Sequence, residues 1–492
     1  MNVPPASVIE THISTVIMVG DRAYKLKKPV HFPFVDLRTR KARETLCHRE
    51  VELNRRLAPD VYLGVADVTG PDGQPCDHLV VMRRMPAERR LSTLVADRDP
   101  RVPAVLAELG TLLARFHADA NRSAVIDSRA TTDAIAKLWQ DNFDEMRGFV
   151  GDILDPTTFD RAVTSAREFI DGRGPLFDLR ITEGCICDGH GDLQTDDVFC
   201  LDDGPRVLDC IEFCDDFRHG DVVNDLAFLV MDLERLGAVD LVPFLLESYE
   251  REAGRPVPAA LLRFYVAYRA QVRAKVACLA AAQLGVDDPS RESLRRKAAD
   301  LMALCLRALG ESSPRLILVG GLPGTGKSTV ARNIGLFLGV AVLRSDVVRK
   351  QLHNLDSATS AHAHFGQGIY NSSATERMYT DLIERANTEL SQGRSVVIDA
   401  SFNDTLNREQ ARNLASRTKS RVLELRCTLP RSEADQRMTA RRQQGTDASD
   451  ADASIAAAMA VTTDPWPEAI ELATHDAADI VATNAIALLA DH

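Results

Sequence analysis

Gly321-Leu322-Pro323-Gly324-Thr325-Gly326-Lys327-Ser328 is the stretch that decides the second half of this 492-residue chain. Glycines, a lysine and a hydroxyl at these offsets make a loop that turns successive backbone N–H groups toward a phosphate chain. The apolar run Leu316-Ile317-Leu318-Val319 precedes it, and a helical run from Thr329 to Phe337 follows. In that context Lys327 can reach the β- and γ-phosphates of ATP and the Ser328 hydroxyl can hold Mg²⁺. The helix opening at Thr329 adds the positive end of its dipole.

Working outward from the loop, four more strands are expected: 339–343, 395–398, 422–427 and 479–483. Five strands alternating with helices imply an α/β doubly wound parallel sheet with ligands at the carboxyl ends of its strands. Asp346 and Asp399 lie at two such ends. One of them is suited to activating a substrate hydroxyl and the other to binding Mg²⁺ through water. Arg437, Arg441 and Arg442 fall at i, i+4 and i+5 of one expected helix, as a cationic lid or as a solvated basic face. This half resembles the small P-loop kinases of the polynucleotide-kinase, zeta-toxin and gluconate-kinase type. Ser345-Asp346 with Arg349 is similar to their substrate-side motif, and Asp399-Ala400-Ser401-Phe402 to their third-strand motif. The resemblance implies phosphoryl transfer to a hydroxyl, with Asp346 as base.

The first half carries a second constellation. His190-Gly191-Asp192 opens a loop, Asp197 stands five residues after Asp192, and Val198 to Leu201 begins a short hairpin that ends at Leu208-Asp209. Asp192 is then the base or orienter of an acceptor hydroxyl, while Asp197 and Asp209 approach one Mg²⁺ from two sides. His190 is expected to brace the loop, and the tight turn needs Gly191. Upstream, Lys25 lies on an expected strand, 22–27, and Glu50 on an expected helix, 45–57. A strand lysine held by a helix glutamate and aimed at the α- and β-phosphates is the partner pair such a site needs. Lys27, Lys28 and Glu52 are rivals; the Ala-x-Lys pattern favours Lys25, and Glu50 is preferred.

This half resembles the aminoglycoside-phosphotransferase/choline-kinase branch of the kinase-like superfamily. The resemblance rests on His190-Gly191-Asp192, Leu208-Asp209, Gly220-Asp221 and Asp225-Leu226-Ala227. It implies an α+β, protein-kinase-like bilobal fold. One departure is Asp197, where the family usually has asparagine. Aspartate is still a hard oxygen ligand for Mg²⁺, yet it adds negative charge beside Asp192 and Asp209, which raises a carboxylate's pKa. A second departure is the lack of an obvious Gly-rich loop, with Gly20 the lone candidate. The order of the two halves is similar to that of the bifunctional aminoglycoside phosphotransferase/ATP-binding family.

Composition bounds the rest. At about 150 residues per domain the length suggests roughly three units. Apolar residues are 45% and charged residues 26%, ordinary for a globular chain. The net charge is −12, of which residues 313–492, with 19 basic and 21 acidic groups, carry only −2. The acid is therefore concentrated in 1–312, and a nonspecific nucleic-acid coat is disfavoured. With aromatics at 5%, a base-stacking platform has little support. No apolar stretch approaches the ~18 residues that span a bilayer, so a membrane partner is not expected. Ten cysteines show no CxxC framework; the five in 185–214 read as small buried hydrophobes, and the expectation is a cytoplasmic protein.

The expected division is a kinase-like domain at 1–312, with a small lobe to about 95 and a helical lobe beyond it, and a P-loop domain at 313–492. A helix at 290–309 should be broken by Gly310, Ser312, Ser313 and Pro314. Further helices are expected at 104–118, 132–148, 158–171, 222–236 and 258–284. On the last of these Arg269 and Arg273 stand at i, i+4, with Lys275 nearby. If they face the acceptor cleft they favour a neutral polyol or an anionic acceptor over a polycationic aminoglycoside; pairing with structural carboxylates is the alternative. Taken together the sequence points to an ATP- and Mg²⁺-dependent phosphotransferase acting on a small hydroxyl compound, with ATP-binding residues Lys25, Glu50 and Gly321 through Thr329. The competing readings are a regulatory ATPase with a degenerate kinase-like sensor and a polynucleotide 5′-kinase in the second half.

Overall fold

Leu316, Ile317, Leu318 and Val319 are all fully buried, and they alternate between two separate hydrophobic cores. Only a strand covered on both faces reads this way, which is why the sequence shows a continuous apolar run. In the computed structural model this strand, Arg315–Gly320, is the centre of a five-stranded sheet. Its order is Ala341–Arg344, Val396–Asp399, Arg315–Gly320, Arg421–Thr428, Ile470–Ala473, with every pairing parallel. Helices Ser372–Ser391 and Thr405–Arg417 supply Leu382 and Leu414 to one face; Lys327–Leu338 and Ala478–Asp491 supply Ile334 and Val481 to the other. The structure describes residues 7–11, 13–32, 35–285, 287–356, 368–444 and 453–491.

Three expectations for this region need correction. Residues 479–483 are not a strand: they lie in helix Ala478–Asp491, where Val481 and Ala485 reach the core one turn apart. The fifth strand is Ile470–Ala473, a short run whose type periodicity alone does not decide. The second strand begins at Ala341, because Gly339 is used to end the preceding helix, with φ +65°. Gly310 does not break its helix, which runs Pro289–Ser312; the stop comes just before Pro314, which disfavours a helical residue ahead of it.

The chain divides into two units, one of Met1–Ala166 with Phe177–Leu309 and one of Arg167–Leu176 with Gly310–His492. The first unit has a sheet-based small lobe and a helical larger lobe. Its small lobe is an antiparallel sheet ordered Ser7–Glu10, Ser14–Val19, Arg22–Lys27, Pro75–Arg83, Tyr62–Thr69. Helix Arg40–Asn54, capped by Thr39, packs Cys47 and Val51 against Ala23, Val80 and Met82 of the sheet. The larger lobe is helical: Val102–Asp119, Thr132–Met146, helix Pro156–Gly172 as far as Ala166, Val222–Arg235, Val242–Ala253 and the long Ala259–Gln283. Trp139 anchors it, with ring centroids 5.3 Å from Phe264 and 5.5 Å from Tyr268. Between them lie the hairpin Val198–Leu201/Gly204–Val207 and the loop that precedes it. No helix among the described residues is long and apolar enough to cross a membrane.

Candidate functional site

In the first unit, strand Arg22–Lys27 alternates, so Ala23, Lys25 and Lys27 share its buried face. Helix Arg40–Asn54 aims Glu50, fully buried, at the same face. Lys25 Nζ lies 2.8 Å from Glu50 Oε1 and 2.5 Å from Asp209 Oδ1. The other Glu50 oxygen, Oε2, pairs with Lys27 Nζ at 2.5 Å, and Lys27 also pairs with Glu212. Glu52 is exposed and pairs with Arg49 instead, at 3.0 Å. Burial alone would lower the Lys25 pKa, but Asp209, Glu50 and Glu212 together raise it well above the ordinary lysine value, so Lys25 stays charged. Sequence reasoning missed Lys27 and Glu212 as partners. The period of two already put Lys27 beside Lys25; nothing in the sequence marked Glu212.

The loop that opens at His190 is held by side chains that bind its backbone. The Asp225 carboxylate accepts the N–H of His190 at 2.7 Å and of Gly191 at 2.9 Å, and His117 Nε2 at 3.2 Å. Gly191 has φ +88°, and a Cβ there would stand 2.8 Å from the Phe217 carbonyl oxygen, so only glycine fits. His190 braces: its Nε2 donates to the Leu208 carbonyl at 3.0 Å and its Nδ1 takes the Asp192 N–H at 3.4 Å. Burial lowers its pKa to about 4, which keeps it neutral. Thr195 is tied through its N–H to Asp232 at 3.0 Å. Asp209 is held with φ +66°, its N–H donating to the Tyr62 hydroxyl at 3.2 Å. The Asn54 amide oxygen takes the next N–H, that of Cys210, at 2.9 Å.

Asp192, Asp197 and Asp209 therefore lie close enough to act on one another's charge. Burial, then the charges of Asp209 and Asp192, raise the Asp197 pKa well above the usual range. Asp192 is also raised, first by burial, against the pull of Arg273 and Arg269. Gln194 Nε2 donates to Asp192 Oδ2 at 3.0 Å. The Asp209 side chain remains 53% exposed. Asp197 and Asp209 are hard oxygen donors in a site with surplus negative charge, which fits Mg²⁺. Among the described residues no group of three or more His, Cys, Asp or Glu side chains is placed to hold a metal alone. A cation here would complete its shell with phosphate oxygens and water.

In the second unit the loop 321–326 leads from the central strand into helix Lys327–Leu338 at the point where the strand order reverses. Gly324 has φ +82°, and a Cβ would meet the Ala434 carbonyl oxygen at 2.7 Å. Thr474, which sequence reasoning missed, donates from Oγ1 to the Thr325 carbonyl at 2.6 Å, and its own carbonyl accepts Arg437 Nη2 at 2.8 Å. Gly326, Lys327, Ser328, Thr329, Arg437 and Thr474 line one cavity of about 330 Å³. Asp399, at the end of the neighbouring strand, is 2% exposed and accepts Arg344 Nε at 3.2 Å on Oδ2. Its Oδ1 is buried without a hydrogen-bond partner. Burial raises its carboxyl, with the Lys327 charge and the nearby Ser328 hydroxyl pulling it down. An unpartnered buried oxygen beside the Ser328 hydroxyl fits Mg²⁺.

The other expected residues are placed as follows. Asp346 stands in the first turn of helix Ser345–Leu352, half-buried, close enough to act on Asp399 and Arg349. Arg349 is buried and donates to the Ile369 carbonyl at 2.9 Å and Thr375 Oγ1 at 3.1 Å, so it anchors the segment at 368–375. Arg441 lies in helix Arg431–Gln444, but its side chain, like those of Arg442, His362 and His364, is outside the described residues. Arg269 is 6% exposed and stacks over Phe228 and Tyr268, while Arg273 is half-buried. Lys275 pairs with Glu145 at 3.1 Å. Of the cysteines in 185–214, only Cys214 is not buried.

Residues 316–465 match an AAA domain family model. An uncharacterised protein of Mycobacterium tuberculosis H37Rv is 39% identical over 463 residues, 94% of this chain and 91% of that one. The chain belongs to that protein's family. In this chain the match to the AAA domain model falls in the second unit, on the strand, loop and helix that carry Lys327 and Ser328. A choline/ethanolamine kinase family protein of Mesorhizobium loti matches at 15% identity over 62% of this chain and 92% of that one, with a TM-score of 0.38. The APS kinase of Mycobacterium tuberculosis matches at 20% identity over 36% of this chain and 98% of that one, with a TM-score of 0.27.

Proposed function

We propose that this protein is an ATP-dependent phosphotransferase with two nucleotide sites, and that its first unit moves the γ-phosphoryl group to a hydroxyl of a small molecule. The observation that carries the reading is the placement of Lys25, which bridges Glu50 and Asp209 from the buried face of the small-lobe sheet. That is where an ammonium would meet the α- and β-phosphates. Asp192 takes the acceptor's proton as the acceptor oxygen bonds to the γ-phosphorus. The bond from that phosphorus to the β–γ bridging oxygen breaks, and ADP leaves. Its raised pKa makes Asp192 a better base than an ordinary carboxylate. Asp197 and Asp209 would hold Mg²⁺, which neutralises charge on the transferring phosphoryl oxygens.

In the second unit Lys327 and the loop N–H groups would cradle a second ATP. Ser328 and Asp399 would hold its Mg²⁺, and Asp346 would serve an acceptor hydroxyl. Incubating the full chain with γ-labelled ATP and a small-metabolite fraction tests the proposal: label should appear in a phosphate ester, and label appearing only in inorganic phosphate counts against it. A second reading, a regulatory ATPase with the first unit as sensor, is favoured by one feature. Asp197 brings an extra carboxylate into the site.

A further inference from the structure

Buried cations normally have an anion beside them, because an unpaired charge in a low-dielectric place is costly. Arg269 breaks this rule. It is 6% exposed, on the long helix Ala259–Gln283, and its one hydrogen bond among the described residues is a weak donation from Nε to the Asn224 carbonyl at 3.4 Å. Two aromatic rings flank its guanidinium, the Phe228 centroid at 4.7 Å and the Tyr268 centroid at 5.6 Å, and its charge acts on the Asp192 carboxyl. No carboxylate within the described residues forms an ion pair with it. One turn along the same face, Arg273 is half-buried and has neither hydrogen-bond nor ion-pair partner among the described residues.

The neighbouring charges show that the surplus is real. Arg263, two turns earlier, pairs with Glu234, and Arg235 pairs with Asp232 at 2.6 Å. Asp232 is also committed to Thr195, and exposed Asp196 accepts the Ser92 hydroxyl. Lys297, on helix Pro289–Ser312, forms no ion pair among the described residues. Burial and then the charges of Arg273 and Arg235 lower its pKa, which places it in the same cationic neighbourhood. This cluster adjoins the reacting base. Arg269 touches the Asn224 carbonyl, and the next residue, Asp225, holds the loop that carries Asp192. Arg273 and Arg269 are the leading positive charges acting on the Asp192 carboxyl. Asn224 Oδ1 is itself buried without a partner.

From these placements we infer that the acceptor of the first unit carries an anionic group, phosphate or carboxylate, as well as the reacting hydroxyl. Arg273 and Arg269 receive that group, with Lys297 at its outer edge. A sugar phosphate or a hydroxy acid has this chemistry; a polycationic aminoglycoside or a quaternary ammonium alcohol is repelled from it. Arginine suits the role, because its planar fork grips both oxygens of such a group.

The inference rests on the phosphotransferase reading, and its test separates the two. The full chain carrying Lys327→Ala, to silence the second site, is given γ-labelled ATP and matched acceptors: glucose and glucose 6-phosphate, glycerol and glycerol 3-phosphate, glycerate, kanamycin and choline. The anionic member of each pair should be favoured at least tenfold in kcat/KM. Arg273→Ala should raise the anionic acceptor's KM at least tenfold with the KM for ATP unchanged, and Arg273→Lys should recover part of the loss. Because Arg269→Ala removes a buried stack and can unfold the lobe, Arg273 is the deciding position. In parallel, calorimetric titration of Asp192→Asn with the same pairs reads binding without turnover. Anion-selective binding that depends on Arg273, with no transfer to any acceptor, keeps the anion site and overturns the phosphotransferase reading. Transfer that prefers kanamycin or choline, or an anion preference unchanged in Arg273→Ala, overturns the anion site and keeps the reading. Absence of anion-selective binding and of transfer overturns both.

Discussion

The Lys25 ammonium and the Glu50 carboxylate meet at 2.8 Å inside the small lobe, both side chains nearly sealed from solvent. Glu50 serves two lysines at once, since its second oxygen pairs with Lys27. Removing it leaves two buried ammonium groups sharing Asp209 and Glu212. Breaking a buried pair from one side costs about 3–5 kcal/mol. Glu50→Ala should therefore lower the first unit's free energy of unfolding, read from urea denaturation, by that amount, whereas Glu52→Ala, on the exposed side of the same helix, should stay within about 0.5 kcal/mol.

Asp225 makes the first unit's stability depend on acid. Burial pushes its carboxyl up, but the hydrogen bond and charge of His117 and the His190 N–H outweigh that and hold it well below the ordinary range. A carboxyl whose folded pKa is depressed contributes fully above its unfolded value of about 3.9 and loses that contribution as pH falls toward the folded value. Asp225→Asn should cost about 1–3 kcal/mol at pH 7. Thermal melts of the variant and parent should converge as pH drops below about 4. A difference that stays constant down to pH 3 would mean the carboxylate charge is not what holds the loop.

Gly320 ends the central strand just before the phosphate loop. A Cβ there would lie 2.2 Å from Trp466 Cζ3 and 2.8 Å from Cη2, and Trp466 is itself fixed by Arg408 and Glu424. Gly320→Ala must push the indole away, at a cost of roughly 1–3 kcal/mol. The expected readout is a lower melting transition of the second unit together with a shifted emission from Trp466, since Trp139 is the sole other tryptophan.

Much of this architecture was legible in the chain. Leu316 to Val319 read as a doubly covered strand because every residue of it is apolar, and His190-Gly191-Asp192 with Leu208-Asp209 read as a loop and hairpin because their spacing is local. What stayed hidden came from two sources. Residues 479–483 are a short apolar run that suits strand or helix, and the choice depends on whether Val481 and Ala485 find the same core. Glu212 and Thr474 join their sites through contacts 185 and 149 residues away in sequence, with Lys27 and the Thr325 carbonyl. The charge surplus at Arg269 and Arg273 was visible as a spacing, but its lack of a counter-ion emerged only from the fold.

Ser328 and Asp399 provide a test of the second site. In a Lys25→Ala background, which silences the first, Asp399→Asn and Ser328→Ala should each weaken ATP binding in Mg²⁺ at least tenfold. They should leave binding in EDTA nearly unchanged, as read by equilibrium titration. Equal losses with and without Mg²⁺ would assign both residues to packing of the loop instead.

The central claim is that the first unit transfers phosphoryl groups through Asp192. Single-turnover reactions with γ-labelled ATP and accepting metabolite, on Asp192→Asn and Lys327→Ala in the full chain, test it most directly. Removing a general base costs about 10²- to 10⁴-fold. The expected result is loss of ester formation by at least a hundredfold in Asp192→Asn, with transfer persisting in Lys327→Ala. ATP consumption and ester formation abolished by Lys327→Ala and untouched by Asp192→Asn would contradict the account.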